Sequence, residues 1–261
     1  MKKIISLYLL MIVFSSAAFA SYISLNTSLT TKVDKNDLMV LVTVINKGDE
    51  SAHNVQAELR VGGEKYLAEK KLELGINQTY TAATTFKLKM QKPGLYPLVL
   101  VMHYTDANQY PFSALTCNVF SYQAGALPAE IIGKLQTAAF WQAGQTKLTL
   151  KNLSDSEIAA ETSLVVPREL TVTTKAQKVR LAPKSNKTVT FGLENFSALD
   201  GSTYQVFAIT EYEKDGFHQT NISPGMVKIV ESNFFRDYRI LIVVLVAILL
   251  VVFVLLQIKK K

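Results

Sequence analysis

Cysteine is almost absent from this chain, which has only Cys117. A single thiol excludes a disulfide within the chain, so stability must come from packed apolar side chains. Histidine is nearly as rare, and His53, His103 and His218 lack the neighbouring cysteine or paired glutamate that a zinc site requires. A Gly-x-Ser-x-Gly segment and a glycine-rich phosphate loop are also missing. These absences favour a protein that is not an enzyme, with no catalytic, metal or cofactor residues.

Long charged runs are also missing, although the formal net charge is +7. Five of these charges are terminal lysines, which leaves a net charge of +2 for the residues between them. The basic character therefore belongs to the two ends and predicts no nucleic-acid partner. Asp34, Asp37 and Asp49-Glu50 group oxygen atoms as calcium-binding linkers do, but without the regular spacing of a calcium loop.

The first twenty residues have the composition of a secretory signal peptide. Met1-Lys2-Lys3 is followed by an apolar run and by small residues that end in Ala18-Phe19-Ala20. A charged start, an apolar middle and an Ala-x-Ala ending are the three parts of such a signal. We expect residues 1–20 to be removed and the rest of the chain to be exported.

The last long apolar run predicts a transmembrane helix over residues 240–258. It carries no charge, and Gln257 is its only polar side chain. Nineteen helical residues measure about 28 Å, close to the hydrocarbon thickness of a bilayer. Residues 232–239 form a juxtamembrane segment, and residues 259–261 a basic cytoplasmic tail. We expect a single-pass type I protein of the bacterial inner membrane, with its domains in the periplasm or extracytoplasmic space.

Between these ends, short apolar runs alternate with polar residues and stop at turn residues. Leu38–Ile45 ends at Asn46-Lys47-Gly48-Asp49, and Asn54–Val61 ends at Gly62-Gly63. Further strands are predicted at Tyr66–Leu74, Tyr80–Met90, Tyr96–Tyr104 and Phe112–Phe120. This spacing predicts an all-β fold built from antiparallel, immunoglobulin-like β-sandwiches.

The second half of the chain repeats the first. Asn46 and Asn152 lie 106 positions apart in similar surroundings, and the pair Tyr96 and Tyr104 matches Tyr204 and Tyr212. A nearly constant offset indicates two copies of one domain. We assign residues 21–122 and 137–231 to two tandem sandwiches arranged as separate beads, with residues 123–136 as a linker. Within that linker, 129–135 fits either one helical turn or an edge strand.

Five residues of the sandwiches carry specific predictions. Tyr96 and Tyr204, each at the start of a late strand, are predicted to hold a loop through the phenol hydroxyl, as a tyrosine corner does. Cys117 is predicted to be a buried structural thiol, with an intermolecular disulfide or lipid attachment as the alternative. Phe140 and Trp141, the only tryptophan, are candidate ligand contacts. The alternative is that the two rings pack against the linker.

The strand that ends in Asn46-Lys47-Gly48, the following Asn54-Val55 and the strand with Gly94 and Tyr96 resemble bacterial immunoglobulin-like modules of the CARDB and NEW3 type. The resemblance covers most of residues 25–120 and, more loosely, 140–230. The second copy departs from it at Asn152-Leu153-Ser154, where serine replaces the glycine. The resemblance implies binding or spacer domains, often near carbohydrates.

The order of signal, sandwich, membrane span and short basic tail is similar to the translocon-associated protein beta subunit. Six Asn-x-Ser/Thr sequons suit a lumenal protein of this kind: Asn26, Asn77, Asn152, Asn186, Asn195 and Asn221. The signal is bacterial in style, however, and the beta subunit has one sandwich where this chain has two.

Taken together, the sequence predicts a membrane-anchored, non-enzymatic binding or scaffold protein that recognises an extracytoplasmic protein or a glycan. The alternative is an accessory subunit of a membrane enzyme or a protein-translocation complex, in which the transmembrane helix makes the essential contact. A hydrolase is a third and weaker reading.

Overall fold

The computed structural model describes the backbone of residues 22–231 and 238–258, with side chains of the second range at 238, 240–249 and 252. The predicted signal peptide, most of the juxtamembrane segment and the lysine tail lie outside these residues. The described chain is mainly β-structure and forms two sandwiches, here called the first sandwich (22–122) and the second sandwich (131–231). The all-β prediction is confirmed.

The first sandwich packs a three-stranded sheet, β1-β2-β6, against a sheet in which β3 and β7 are central and β4, β5 and β8 flank them. Every second residue of β2 faces inward, as the alternating sequence predicts, and meets Leu98, Leu100 and Met102 of β7. Its strands are β1 Leu25–Asp34, β2 Asp37–Asn46, β3 Ala52–Val61, β4 Glu64–Leu67, β5 Lys71–Leu74, β6 Thr79–Lys87, β7 Gly94–Thr105 and β8 Pro111–Tyr122.

The second sandwich packs the sheet β12-β14-β10-β9 against the sheet β13-β11-β15-β16. Phe191, Leu148 and Leu150 of the former meet Val206 and Ala208 of the latter in a separate core. Its strands are β9 Ile131–Thr137, β10 Ala143–Asn152, β11 Ile158–Val165, β12 Leu170–Val172, β13 Gln177–Leu181, β14 Asn186–Asn195, β15 Thr203–Lys214 and β16 Phe217–Lys228.

The internal repeat is visible in the strand positions. Strands β1, β2, β3, β5 and β8 begin 106 residues before β9, β10, β11, β13 and β16. One strand departs from the repeat, because β4 pairs with β3 whereas β12 pairs with β14 in the opposite sheet. Gly62-Gly63 forms a tight hairpin after β3, which keeps β4 beside it. β11 is instead followed by a longer connection that contains Pro167, and this connection takes the chain to the opposite sheet.

Two sequence predictions are corrected here. Strand β9 occupies residues predicted as linker, so the second sandwich begins at Ile131, and 129–135 does not form a helical turn. Gly133 interrupts the apolar alternation of this edge strand, which weakened its signal. The single strand predicted over Tyr66–Leu74 is two strands, β4 and β5, both paired to β3.

Buried Asn46 and Asn152 close the same turn in both copies. Each Oδ1 accepts the backbone N–H two residues on, from Gly48 at 3.0 Å and Ser154 at 2.9 Å, and each Nδ2 donates to the carbonyl four residues on. Serine therefore preserves the turn in the second copy. Gly48 is required for another reason, because a Cβ there would lie 2.2 Å from the carbonyl oxygen of Tyr22.

The two sandwiches are not separate beads, which corrects the sequence interpretation. They lie side by side, with β7 parallel to β16 at the contact of Gly94 with His218. The Tyr110 hydroxyl, between β7 and β8, donates to the carbonyl of Ser197, between β14 and β15. The segment at Tyr22, beside the turn after β2, and the chain leaving β16 therefore emerge at the same end of the pair.

Beyond the second sandwich, the helix α1 runs from Arg239 to Ile258. Its side chains at 240–249 are exposed or half-buried, and all ten are apolar. Over the residues and side chains that the structure describes, no helix combines the length and the apolarity needed to cross a membrane.

Candidate binding site at the junction of the sandwiches

The surface between the sandwiches contains a third apolar cluster, separate from both cores. Val99, Val101, Leu115 and Cys117 project from the outer face of the β7-β8 sheet and meet a matching set on β15: Phe207 and Ile209. Because both sides are apolar and are removed from water, the cluster favours the packed arrangement of the sandwiches. Cys117 is buried here, between the sandwiches rather than in a core, and burial raises the pKa of its thiol to about 12.

One end of the junction is held by a buried carboxylate. Glu169, fully buried before β12, accepts a hydrogen bond from the Ser113 N–H at 2.6 Å and another from the Ser113 hydroxyl at 2.7 Å. The Ser113 Oγ in turn accepts the Arg168 N–H at 2.9 Å. Burial raises the pKa of the Glu169 carboxyl, and the bonds from Ser113 oppose that rise.

The other end of the junction is held by backbone and ring contacts. The His218 N–H donates to the Pro93 carbonyl at 3.0 Å, and the imidazole stacks on the Tyr96 ring with centroids 4.2 Å apart. Gly94 permits this approach, because a Cβ at that position would lie 2.0 Å from the His218 carbonyl oxygen. Lys92 and Glu213 form an ion pair across the same end, and the lysine lowers the pKa of the carboxyl group.

Beside this end a cleft of about 790 Å³ opens on the second sandwich. It is bounded by β11, β13, β15 and β16, and a second cavity of about 370 Å³ on the first sandwich shares Glu211 with it. The lining combines apolar floor residues with charged side chains of both signs: Ile158, Ala160, Val179, Glu161, Lys178, Arg180, Glu211 and Glu213. The lining therefore offers cationic and anionic groups above an apolar floor.

A buried charge cluster lies on the same face of the first sandwich. Glu58, nearly inaccessible, binds Arg60 at 2.6 Å, Lys65 at 2.8 Å and His103 at 3.0 Å. Burial alone raises the pKa of the Glu58 carboxyl, but the hydrogen bonds from Lys65, Arg60 and His103 outweigh it and lower the pKa to about 2. One carboxylate thus holds three basic side chains in place near the junction.

The chemistry available at the junction is limited. Over the described residues, no group of three or more His, Cys, Asp and Glu side chains is placed to hold a metal ion. His218 contacts Glu211 at 3.1 Å and His103 contacts Glu58, and among the described hydrogen bonds neither imidazole meets a serine, threonine or cysteine side chain. Each imidazole therefore has a carboxylate as its hydrogen-bond partner.

The two tyrosines singled out by the sequence contact loops of their own sandwiches. The Tyr96 hydroxyl donates to the Lys92 carbonyl at 2.8 Å, and the Tyr204 hydroxyl accepts the Leu199 N–H at 2.9 Å. Each bond spans the loop just before the tyrosine strand. Tyr96 also contributes the ring on which His218 stacks, a contact between sandwiches that the sequence does not reveal.

The candidate ligand pair is divided by the structure. Phe140 is buried in the second core and its backbone pairs with Ile229 and Lys228, so it is unable to contact a ligand, which corrects that half of the prediction. Trp141 is 45% exposed. Both residues lie away from the cleft, at the end of the sandwich opposite the Asp215-Gly216 hairpin, whereas the cleft lies towards that hairpin.

Sequence reasoning missed the junction because its residues were assigned to ordinary strands. Val99 and Val101 alternate with the core residues Leu98 and Leu100, so β7 is apolar on both faces. A strand that is apolar on both faces is buried on both faces. The same continuous pattern in Val206–Ile209 of β15 was the available signal.

Comparisons with known proteins identify no family. No protein-family model matches the chain, and no curated protein sequence matches it. Solved structures with a similar arrangement include the native α2-macroglobulin of E. coli, at 11% identity and a TM-score of 0.34 over 78% of this chain and 17% of that one. Red sea bream transglutaminase is similar at 10% identity and a TM-score of 0.29, over 82% and 32% of the two chains.

The YadV chaperone is similar at 12% identity and a TM-score of 0.31, over 78% of this chain and 98% of that one. This chain spans 16% to 23% of the length of the macroglobulin chains.

Proposed function

We propose that this chain is a membrane-anchored, non-enzymatic scaffold whose two immunoglobulin-like sandwiches bind an extracytoplasmic protein or polysaccharide of the bacterial envelope. The observation that carries the proposal is the junction itself. An apolar cluster and the Glu169–Ser113 bonds pack the two sandwiches together, and a mixed-charge cleft of the second sandwich, built on its paired strands, lies beside their contact. A surface held in one shape reduces the entropy lost when a partner binds.

The anchor in this proposal is α1. Its backbone is helical over 20 residues, and the sequence from 240 to 258 carries no charge. A helix of that length measures about 30 Å, the thickness of the hydrocarbon core. Together with the signal-like residues 1–20, this supports an inner-membrane location with the sandwiches in the periplasm.

The cleft is tested by photo-crosslinking in the full chain within its native membrane. A photoreactive amino acid replaces Lys178, which lines the cleft, and in a matched variant replaces Lys147, which is exposed on the opposite sheet. We expect a discrete adduct from position 178 that position 147 does not give. Adducts of equal yield at both positions, or none at either together with no co-purifying glycan, would contradict the proposal.

A second candidate is the accessory subunit of a membrane complex. It is favoured by the apolar side chains of α1 at 240–249, most of which no part of the described chain covers. Replacing residues 240–258 by an unrelated apolar helix separates the two candidates. A simple tether keeps its function after this replacement, whereas a subunit that contacts its complex through the helix loses it.

A further inference from the structure

The end of the second sandwich from which the chain leaves towards α1 carries large apolar side chains in water. Trp141 is 45% exposed, Phe196 is 76% exposed and Leu199 is 41% exposed. They belong to two loops, between β9 and β10 and between β14 and β15. We name these three residues the exit surface. Single exposed apolar residues are ordinary, but an aromatic group of this kind at one end marks a contact site.

The two loops of the exit surface are fastened to each other. Asn195 Nδ2 donates to the Trp141 carbonyl at 3.1 Å and to the Ala198 carbonyl at 3.2 Å, while Asn195 Oδ1 accepts the Ala198 N–H at 2.7 Å. The Leu199 N–H is held by the Tyr204 hydroxyl. The three apolar side chains are thus presented from a fixed backbone.

The same loops are bonded to the departing chain. Val230 N–H donates to the Phe140 carbonyl at 3.0 Å, next to Trp141, and Gly201 N–H donates to the Ile229 carbonyl at 3.0 Å. Only the steps from Glu231 to Arg239 separate this end from α1, which is at most about 28 Å of extended chain. The opposite end, at Asp215-Gly216, lies a further 12 strand residues away, about 40 Å.

We infer that the exit surface rests on the bilayer, with Trp141, Phe196 and Leu199 in the interfacial layer beside α1. The inference rests on the proposed anchor, because the short tether is what brings this end, and no other, to the lipid. Tryptophan and phenylalanine suit this layer, where the ring is apolar and the surroundings are partly wet. A bilayer is the one occupant whose position the covalent chain dictates.

Charge does not supply the attraction. The exposed carboxylates Glu194, Asp200 and Glu231 on this end outnumber the exposed basic side chains Arg168 and Lys228. A surface without an excess of positive charge gains little from anionic headgroups, so burial of apolar area must provide the affinity. Zwitterionic phosphatidylcholine is therefore the appropriate lipid for a test.

Because Trp141 is the only tryptophan in the sequence, its fluorescence reports on the exit surface without a label. The full chain is reconstituted in phosphatidylcholine vesicles with or without bromine atoms on the upper acyl chain, and Trp141 emission is compared. Because interfacial side chains lie roughly 5–10 Å into the boundary layer, we expect brominated lipid to reduce emission about twofold. The paired change Phe196→Ser and Leu199→Ser is expected to remove most of the quenching.

Met39→Ser is the matched control, because Met39 is 39% exposed, close to the value for Leu199, but lies at the start of β2, at the end of the first sandwich opposite Tyr22. It should leave the quenching unchanged. Extraction with alkaline carbonate reports on the anchor separately. A chain that resists extraction but shows no quenching overturns the exit surface and leaves the anchor intact.

A chain that carbonate releases from the vesicles overturns both the anchor and the inference built on it. A blue-shifted emission that depends on protein concentration but not on bromine assigns the surface to a second copy, and this also overturns the inference. Quenching that survives the paired serine change, with Trp141 near lipid by another route, overturns the assignment to these loops.

Discussion

Two buried asparagines have the same task in the two sandwiches. Asn46 and Asn152 each satisfy three or more backbone groups at the turn after the second strand, including a carbonyl of β5 or β13. A buried amide with this many partners stabilises the fold because its removal leaves those groups without hydrogen bonds. Asn152 is also a sequon residue, and its complete burial makes glycosylation of the folded domain unfavourable.

We expect Asn46→Ala and Asn152→Ala each to lower the free energy of unfolding by about 2 kcal/mol, since several buried groups lose a partner. The effect should be similar in both copies, because the turn is the same. Urea denaturation of the detergent-solubilised chain measures it. Asn186→Ala is the control, because Asn186 is exposed; a loss of equal size there would contradict the explanation.

The buried carboxyl group of Glu169 predicts how stability depends on pH. Burial raises its pKa in the folded chain above the usual value near 4.5. At a pH between the unfolded and the folded pKa, the folded chain therefore binds more protons than the unfolded chain. The free energy of unfolding should therefore fall as the pH rises above 4.5. Arg168, Tyr104 and Tyr204 are the other ionisable groups whose charges act on this site or respond to it.

Glu169→Gln should flatten this decline, and urea denaturation at a series of pH values measures it. Glu58 makes stability depend on pH in the opposite direction, because its pKa is lowered to about 2. Its contribution is present above 4.5 and disappears as the pH falls towards 2. Glu58→Gln should therefore flatten only the acidic limb; a Glu58→Gln variant that alters the limb above 4.5 would refute the assignment.

Strands β7 and β16 meet at a glycine whose position tolerates no other side chain. Gly94 has a φ of 151°, and a Cβ there would lie 2.0 Å from the His218 carbonyl oxygen. The backbone of one sandwich must therefore move if Gly94 gains even a methyl group. The Tyr96–His218 stack, two residues on, depends on the same approach.

Gly94→Ala is expected to weaken the junction by about 2 kcal/mol or more through strain and displacement. Loss of the Tyr96–His218 ring-current shift in the NMR spectrum of His218 measures the separation. Gly125→Ala is the control, because nothing lies within 4 Å of its Cβ position. An unchanged His218 signal in the Gly94 variant would show that the contact is not tight.

Most strands could be predicted because their residues alternate clearly. β2 and β10 alternate without interruption and end at asparagine, and the Asp215-Gly216 hairpin has the positive φ angles that its sequence predicts. β9 could not be predicted, because Gly133 interrupts the alternation of apolar residues in this short edge strand. The pairing partner of β12 also could not be predicted. A strand of three residues is too short to show an alternating pattern, and its pairing with β14 instead of β11 depends on tertiary packing.

The junction between the sandwiches is the part of the molecule that the sequence alone did not predict. Its six buried apolar residues come from β7, β8 and β15, so no local segment of the chain contains the whole pattern. The cleft beside it is formed by four strands of the second sandwich, and its residues are ordinary strand residues when each strand is considered alone. Trp141 was identified from its rarity, whereas Phe140 beside it points into the core.

Cys117 reports on the integrity of the junction. In the packed molecule its thiol is buried and its pKa is about 12, so alkylation is slow because little thiolate is present and access is blocked. We expect Phe207→Ala, which removes an apolar partner from the cluster, to accelerate labelling by a maleimide about tenfold or more, a separation cost of roughly 1–2 kcal/mol.

Mass spectrometry over a time course measures the labelling. Met226→Ala is the matched control, because Met226 is 57% exposed on β16 and lies outside the cluster. Labelling that is fast in the unchanged chain would show that the sandwiches separate freely. Equal rates for Phe207→Ala and the unchanged chain would show that Phe207 does not hold the junction closed.

The arrangement of the two chain ends has a mechanical consequence. The segment at Tyr22 and the segment at Glu231 leave from the same end of the pair, and the Ser113–Glu169 bonds lie at that end too. Tension applied between these segments separates the two sandwiches at this end first, while the opposite end stays in contact. We expect rupture to start at Glu169 and to travel towards Gly94, breaking a few contacts at a time, and to bare the Cys117 sulfur before either core yields.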